Sequence, residues 1–155
     1  VTGVQTCALP IFVGDGSYLM MNSELATSVA TNQKLVVVLL DNRGFGCIHR
    51  LQTATGGGAF NNLRLDHPDI DFVSHARSLG AQAEKVTSAK SLGAALTRAV
   101  ESETSYVVVV ETDPTRGTSE GGAWWEVAVP EVSRRSEVQA ARTEYERGKE
   151  GQGKG

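Results

Sequence analysis

Two short stretches carry the residue types for metal and phosphate chemistry: Gly14-Asp15-Gly16-Ser17 and Asp41-Asn42-Arg43-Gly44-Phe45-Gly46. Mg2+ takes near-octahedral oxygen ligation, usually from one or two protein groups with phosphates and water completing the shell. Asp15 offers a carboxylate oxygen, Asn42 an amide oxygen, and the turn at Gly44 a backbone carbonyl. Gly16 and Ser17 open a helical-looking segment, whose unpaired N–H groups and dipole favour an anion. Glycines at 14 and 16 let the backbone approach phosphate oxygens with no Cβ in the way. The chemistry that fits these residues is a magnesium diphosphate site.

Such a site needs both stretches at the same edge of one sheet. Lys34 to Leu40 is a continuous apolar run rich in Val, which reads as a central parallel strand buried on both faces. Residues 20–30 predict the preceding helix, with Met21, Leu25 and Val29 on one face at i, i+4, i+8 spacing. Asp15 and Asn42 then stand at the C-terminal ends of two strands joined by a helix, the edge where ligands bind in open parallel sheets. Glu24 reads as a solvated carboxylate of that helix rather than a catalytic one.

Further along, Asp71 is a plausible N-cap for a short helix with Phe72, Ala76 and Leu79 on one face and Gly80 closing it. A brief strand is expected over 81–86. Ser88 caps a helix that turns Leu92, Ala95, Leu96, Ala99 and Val100 inward. Tyr106 to Glu111 is a second buried strand. The alternation of strand and helix predicts an α/β fold with a doubly wound, mostly parallel sheet.

Residues 43–70 read as a long Gly- and Asn-rich connection, of the kind that forms lids or binding loops. Its start follows Asn42 directly, which places Cys47, Ile48 and His49 as candidates for lining the substrate side. His49 has the chemistry for an acid, a base or a donor to substrate, against the plainer role of a loop histidine bonded to backbone. Arg50 could meet an anion or sit on the surface. His67 and His75 read as surface or structural residues. Trp124-Trp125 is a large apolar pair, suited to a partner surface or lid or to packing on the domain itself. Residues 133–149 predict a weakly amphipathic surface helix with Val138, Ala141 and Tyr145, and the terminal GQGKG a disordered tail.

Composition is ordinary for a soluble globular chain of 155 residues, with 40% hydrophobic and 21% charged residues. A net charge of −3 gives no basic footprint for nucleic acid. No apolar run approaches a membrane span, and no charged segment precedes an apolar one as in a signal peptide. Cys7 and Cys47 have no metal-like spacing and suggest no disulfide framework. A cytoplasmic protein is the default expectation. The opening VTGVQTCALPI has neither strand nor helix periodicity and resembles the translation of a sequencing-library adapter. The domain expectation is therefore an artefact at 1–11, a diphosphate-binding domain at 12–130, and a C-terminal helix and tail at 131–155. On that reading Cys7 is foreign and the first strand is cut to little more than Phe12-Val13.

GDG, followed after residues 17–40 by DN and then x-Gly-Phe, resembles the cofactor motif of thiamine diphosphate-dependent enzymes. The family's usual first Asn is Asp41 here, and the second, which ligates the metal in the family, is Asn42. The resemblance implies Asp15, Asn42 and Gly44 as metal ligands. It implies Gly14, Gly16, Ser17, Asn42, Gly44, Phe45 and Gly46 at the cofactor, with thiamine diphosphate and Mg2+ as the bound groups. The GDGS…M…EL pattern is shared with acetolactate synthase-like enzymes. DNRGFGCIHRLQ, GGGAFNNL, DFVSHARSLGA and GGAWWEVAVPEVS look instead like the branch of cyclic 1,2-dione hydrolases of inositol catabolism, over residues 12 to about 147. His49 and Arg50 replace an Asn-containing pair of that branch, and 61–70 is shorter than its pattern.

That resemblance implies cleavage of the bond between two ring carbonyls of a cyclic polyhydroxy dione, with water releasing 5-deoxy-glucuronate. It also implies a cofactor held between two domains, usually of two subunits in a homodimer or homotetramer, with an activating glutamate on the other domain. These residues therefore read as the C-terminal part of a longer enzyme, inactive alone. The rivals are a carboligase or decarboxylase of the same family, and a non-catalytic α/β binding module in which Asp15 and Asn42 only shape turns.

Overall fold

The structure, a computed structural model, describes residues 10–58, 60–116 and 127–151. The expectations about the first nine residues with Cys7, about Trp124-Trp125, and about the last four residues lie outside them. By its internal contacts the chain divides into two compact units, one of Val1–Phe45 and Arg64–Pro114, the other of Gly46–Leu63 and Thr115–Gly155.

Among the described residues the first unit is built on four parallel strands: β1 (Ile11–Gly14), β2 (Val36–Asp41), β3 (Gln82–Val86) and β4 (Tyr106–Glu111), in the order β1-β2-β4-β3. The Val-rich runs 36–40 and 106–110 occupy the two central positions, where β-branched side chains can be buried on both faces. Period-two alternation divides their side chains between two cores. Val37, Leu39, Val107 and Val109 face one cluster with Tyr18, Leu25, Phe72, Ala76 and Ala83. Val36, Val108 and Tyr106 face the other with Val86, Ala95 and Ala99. The first face is covered by α1 (Asp15–Met20), α2 (Ser23–Ala30) and α4 (Phe72–Ser78), the second by α5 (Ala89–Glu101). This is the doubly wound α/β arrangement expected from the sequence.

The caps follow their chemistry. Asp71 accepts from Ser74 N at 2.9 Å, and Ser88 forms a reciprocal capping box in which Ser91 fills the role usually taken by Glu or Gln. Gly80, at φ +90°, closes α4 in the left-handed conformation.

Three expectations are corrected. The helix of residues 20–30 is two helices broken at Met21-Asn22, so the i, i+4 relation of Met21 to Leu25 is interrupted and Met21 lies 67% exposed. The buried face of α2 is instead Leu25 with Ser28, whose hydroxyl donates to the Leu25 carbonyl and bonds Ser105 Oγ at 2.8 Å. Val100 is exposed, because the inward stripe of α5 runs through Leu92, Ala95 and Ala99 and Val100 lies one residue, about 100° of rotation, off it. Residues 43–70 are not all irregular: α3 spans Gly46–Ala54.

The second unit holds α3 and α6 (Ser136–Gly151). On α6 the sparse apolar positions Val138 and Tyr145 are buried with Val129, and Ala141 packs beside them. Among the described residues no helix is long and apolar enough to cross a membrane.

Candidate functional site

Parallel pairing sets the site. The register places Gly14 beside Leu40, so that Asp15, the first residue past β1, emerges level with Asp41 at the end of β2. β1 runs straight into α1, which draws the Asp15 side chain inward, and the residue is fully buried. After β2 the chain turns sharply. Arg43 is left-handed at φ +68° and Gly44 takes φ +143°, a conformation open to glycine and strained for other residues. Arg43 N–H donates to Asp41 Oδ1 at 3.0 Å and stabilises the start of the turn.

The turn aims the Asn42 amide and the Gly44 carbonyl at Asp15. One terminal atom of the Asn42 amide lies 2.8 Å from Asp15 Oδ1 and 2.8 Å from Gly44 O. With Nδ2 in that place, Asn42 donates to both oxygens. Rotating the amide by half a turn exchanges its oxygen and nitrogen. The amide oxygen then lies 2.8 Å from both Asp15 Oδ1 and Gly44 O, close to the roughly 2.9 Å between neighbouring ligands of an octahedral Mg2+ at its usual ~2.0–2.1 Å. The donor set is one carboxylate, one amide and one carbonyl, hard oxygen ligands of the kind Mg2+ prefers. The residues present therefore fit that ion.

Gly16 sits against the turn, and a Cβ there would stand 2.8 Å from Phe45 Cδ1 and 3.2 Å from Gly44 O. Its missing side chain is what lets Phe45 and the Gly44 carbonyl close over the start of α1. Ser17 is exposed beside it, and Phe45 is partly exposed.

Charge is managed by two arginines. Asp15 Oδ2 accepts from the Arg64 guanidinium at 2.6 Å. Arg43 donates to the carbonyls of Arg64 (3.0 Å) and His67 (2.9 Å) and pairs with Asp69, while Arg64 N–H donates to Arg43 O at 2.6 Å. Arg43 thus ties the segment 64–69 to the turn and so holds Arg64 over Asp15. Burial pushes the Asp41 carboxyl above the usual carboxylate range; the Asp15 charge adds to this, and the Arg43 N–H together with the two guanidinium groups opposes it.

The sequence expectation named Asp15, Asn42, Gly44, Gly14, Gly16, Ser17 and Phe45, and all seven lie along β1, α1 and the turn after β2. Gly46, Cys47, Ile48, His49 and Arg50 belong to α3 of the second unit rather than to an open loop. Gly46 is buried, Cys47, Ile48 and Arg50 are exposed, and His49 is half-buried. His75 is structural as expected, bonded through Nδ1 to the Tyr18 hydroxyl at 3.1 Å. Arg64 was not anticipated. It lies in an aperiodic stretch, and its only signal in the sequence is indirect: a buried carboxylate needs a cation.

Comparisons with known proteins add an independent line. The family described as "Thiamine pyrophosphate enzyme, C-terminal TPP binding domain" matches residues 2–110. A 3D-(3,5/4)-trihydroxycyclohexane-1,2-dione hydrolase of Bacillus cereus (strain AH820) is 40% identical over 140 residues, which cover 83% of this chain and 22% of that protein. A protein of the same name from Bacillus thuringiensis (strain Al Hakam) is 39% identical over the same share. The chain thus spans about a fifth of the length of these curated relatives. Among solved structures, the Rhodococcus jostii RHA1 thiamine diphosphate-dependent 4-hydroxybenzoylformate decarboxylase superposes with a TM-score of 0.63 at 23% identity, over 68% of this chain and 20% of the other. Benzoylformate decarboxylase from Polynucleobacter necessarius gives 0.63 at 22% identity, over 69% and 20%. These two similarities speak for the fold.

Proposed function

Because the chain belongs to the thiamine pyrophosphate enzymes, as their C-terminal TPP-binding domain, we propose that Asp15, Asn42 and the Gly44 carbonyl hold Mg2+ at the cofactor's diphosphate. On this reading Gly14, Gly16 and Ser17 give the diphosphate room and N–H donors, with Phe45 and Gly46 following the metal turn. The observation that carries it is the approach of Asn42 to within 2.8 Å of both Asp15 Oδ1 and Gly44 O at the C-terminal edge of the sheet.

We further propose that the whole enzyme is a hydrolase of a cyclic 1,2-dione, opening trihydroxycyclohexane-1,2-dione to 5-deoxy-glucuronate in the cytoplasmic breakdown of myo-inositol. Support comes from the 40% identity to proteins of that name across most of this chain. When bound, thiamine diphosphate supplies the carbon nucleophile and electron sink for breaking a bond between adjacent carbonyls. The part of this chain is to fix the diphosphate end, so that the reactive ring is presented at a set depth and angle. Further domains, the activating glutamate and a homodimeric or homotetrameric assembly belong to the same proposal. Cys47, Ile48 and His49 stay as candidates for lining the substrate side.

The test is an assay of the complete enzyme containing this sequence, with Mg2+ and thiamine diphosphate, offered the cyclic dione or pyruvate. Ring opening to the acid, with no acetolactate or acetaldehyde from pyruvate, is the expected result. Pyruvate turnover without dione loss would move the protein to the carboligase and decarboxylase branch. The 155-residue chain alone is expected to open no ring, and measurable turnover by it would refute the need for further domains.

A further inference from the structure

Both oxygens of Asp15 are engaged, and by different partners. Oδ1 faces the Asn42 amide and Oδ2 faces Arg64. A fully buried carboxylate without a compensating cation is costly, and Arg64 supplies that cation to Asp15. The guanidinium is also held in place. Its backbone is bonded in both directions to Arg43, and its charged end lies 6.0 Å from the Phe72 ring centroid.

The three-oxygen corner uses Oδ1, so a metal bound there leaves the Arg64 bond to Oδ2 intact. The formal charges are then simple: Asp15 and Arg64 cancel, and Asn42 and the Gly44 carbonyl are neutral. Arg43 and Asp69 cancel in their own ion pair. Asp41, the other carboxylate beside Asp15, accepts the Arg43 N–H at 3.0 Å. A bare divalent cation therefore meets a corner whose one carboxylate is already paired, with a guanidinium close by. A metal–diphosphate complex, which is an anion, meets the same guanidinium as an attraction.

We infer that Arg64 is a positioning residue that decides the form in which the metal is taken: it locks Asp15 with Oδ1 toward the corner and cancels its charge, so that the site selects a metal–diphosphate complex over the free ion. This rests on the reading of Asp15, Asn42 and Gly44 as the metal corner.

Calorimetry on the complete enzyme containing this sequence tests it with two probes, Mg2+ alone and Mg2+ with inorganic pyrophosphate. Removing a group that orients a metal ligand costs about 10–100-fold in affinity. Arg64→Gln removes a positive charge beside the corner and is expected to bind free Mg2+ about tenfold more tightly, and to bind Mg–pyrophosphate at least about tenfold more weakly. Arg64→Lys keeps the charge and is expected to stay within about threefold of wild type on both, the small loss reflecting the missing planar fork. Arg64→Met, which keeps an apolar stem over Phe72, is read in the same way should the Gln variant fail to fold by circular dichroism. Affinities that fall together, as a merely structural role would give, overturn the inference, and so do affinities that do not move. If wild type binds no Mg–pyrophosphate, the metal-corner reading and this inference fall together. Wild-type binding without opposite shifts in the variants removes only the inference.

Discussion

Asparagine at position 15 is expected to abolish Mg2+-dependent diphosphate binding, with a loss of about 100-fold or more, since a direct ligand should cost at least as much as the outer-shell partners whose removal costs 10–100-fold. Asp15→Asn is nearly isosteric, so the corner keeps its shape while losing the carboxylate that Mg2+ favours over a second amide. The substitution also strips Arg64 of its counter-charge. Breaking a buried pair by one partner costs about 3–5 kcal/mol, and the lower end applies here because Arg64 is 22% exposed and can turn its guanidinium to water. The fold should survive in weakened form. Calorimetry with Mg–pyrophosphate, beside a thermal melt, separates the two effects: unchanged affinity in a folded variant would sink the assignment of Asp15 as a ligand.

Phe72→Ala is the substitution expected to cost most stability. Phe72 is 2% exposed and is the largest fully enclosed apolar side chain of the core beneath α1 and α4. Truncations of this kind cost about 3–5 kcal/mol through lost burial and the cavity left behind. The effect should reach the site. The Phe72 ring meets Tyr18 edge to face at 5.8 Å, three residues from Asp15 on α1, and lies under the Arg64 guanidinium. Urea unfolding should show a lower midpoint, and Mg–pyrophosphate affinity at a temperature where the variant is folded should fall by a few-fold, about 1 kcal/mol of lost positioning. A variant as stable as wild type would show that the core tolerates the void.

The parts of this molecule written in local sequence were legible. Val-rich runs at 36–40 and 106–110 announce central strands, because only a strand buried on both faces needs an unbroken apolar sequence. Ser88 and Asp71 announce helix starts, because their side chains satisfy N–H groups that the helix itself cannot. Asp15 and Asn42 were legible as a pair, because each follows a strand and parallel pairing brings such positions together. What could not be read came from tertiary structure. Arg64 reaches Asp15 only because Arg43, in a left-handed turn, gathers the carbonyls of 64 and 67, and no spacing rule relates those positions. The helix at 46–54 begins and is followed by glycines and has no capping side chain, so its pattern resembled a loop. Met21 followed helical spacing, and only the break at Met21-Asn22 turned it outward.

On the proposed reading, one metal ion sits between Asp15 Oδ1, the Asn42 amide oxygen and the Gly44 carbonyl. Crystals of the complete enzyme grown with Mn2+ and thiamine diphosphate, with data collected at the manganese absorption edge, address it directly. An anomalous peak is expected about 2.0–2.3 Å from each of these three oxygens, with the cofactor's diphosphate completing the shell and Asn42 turned oxygen-inward. A bound cofactor with the manganese elsewhere, or with Asn42 still donating to Asp15 and no metal in the corner, would contradict it.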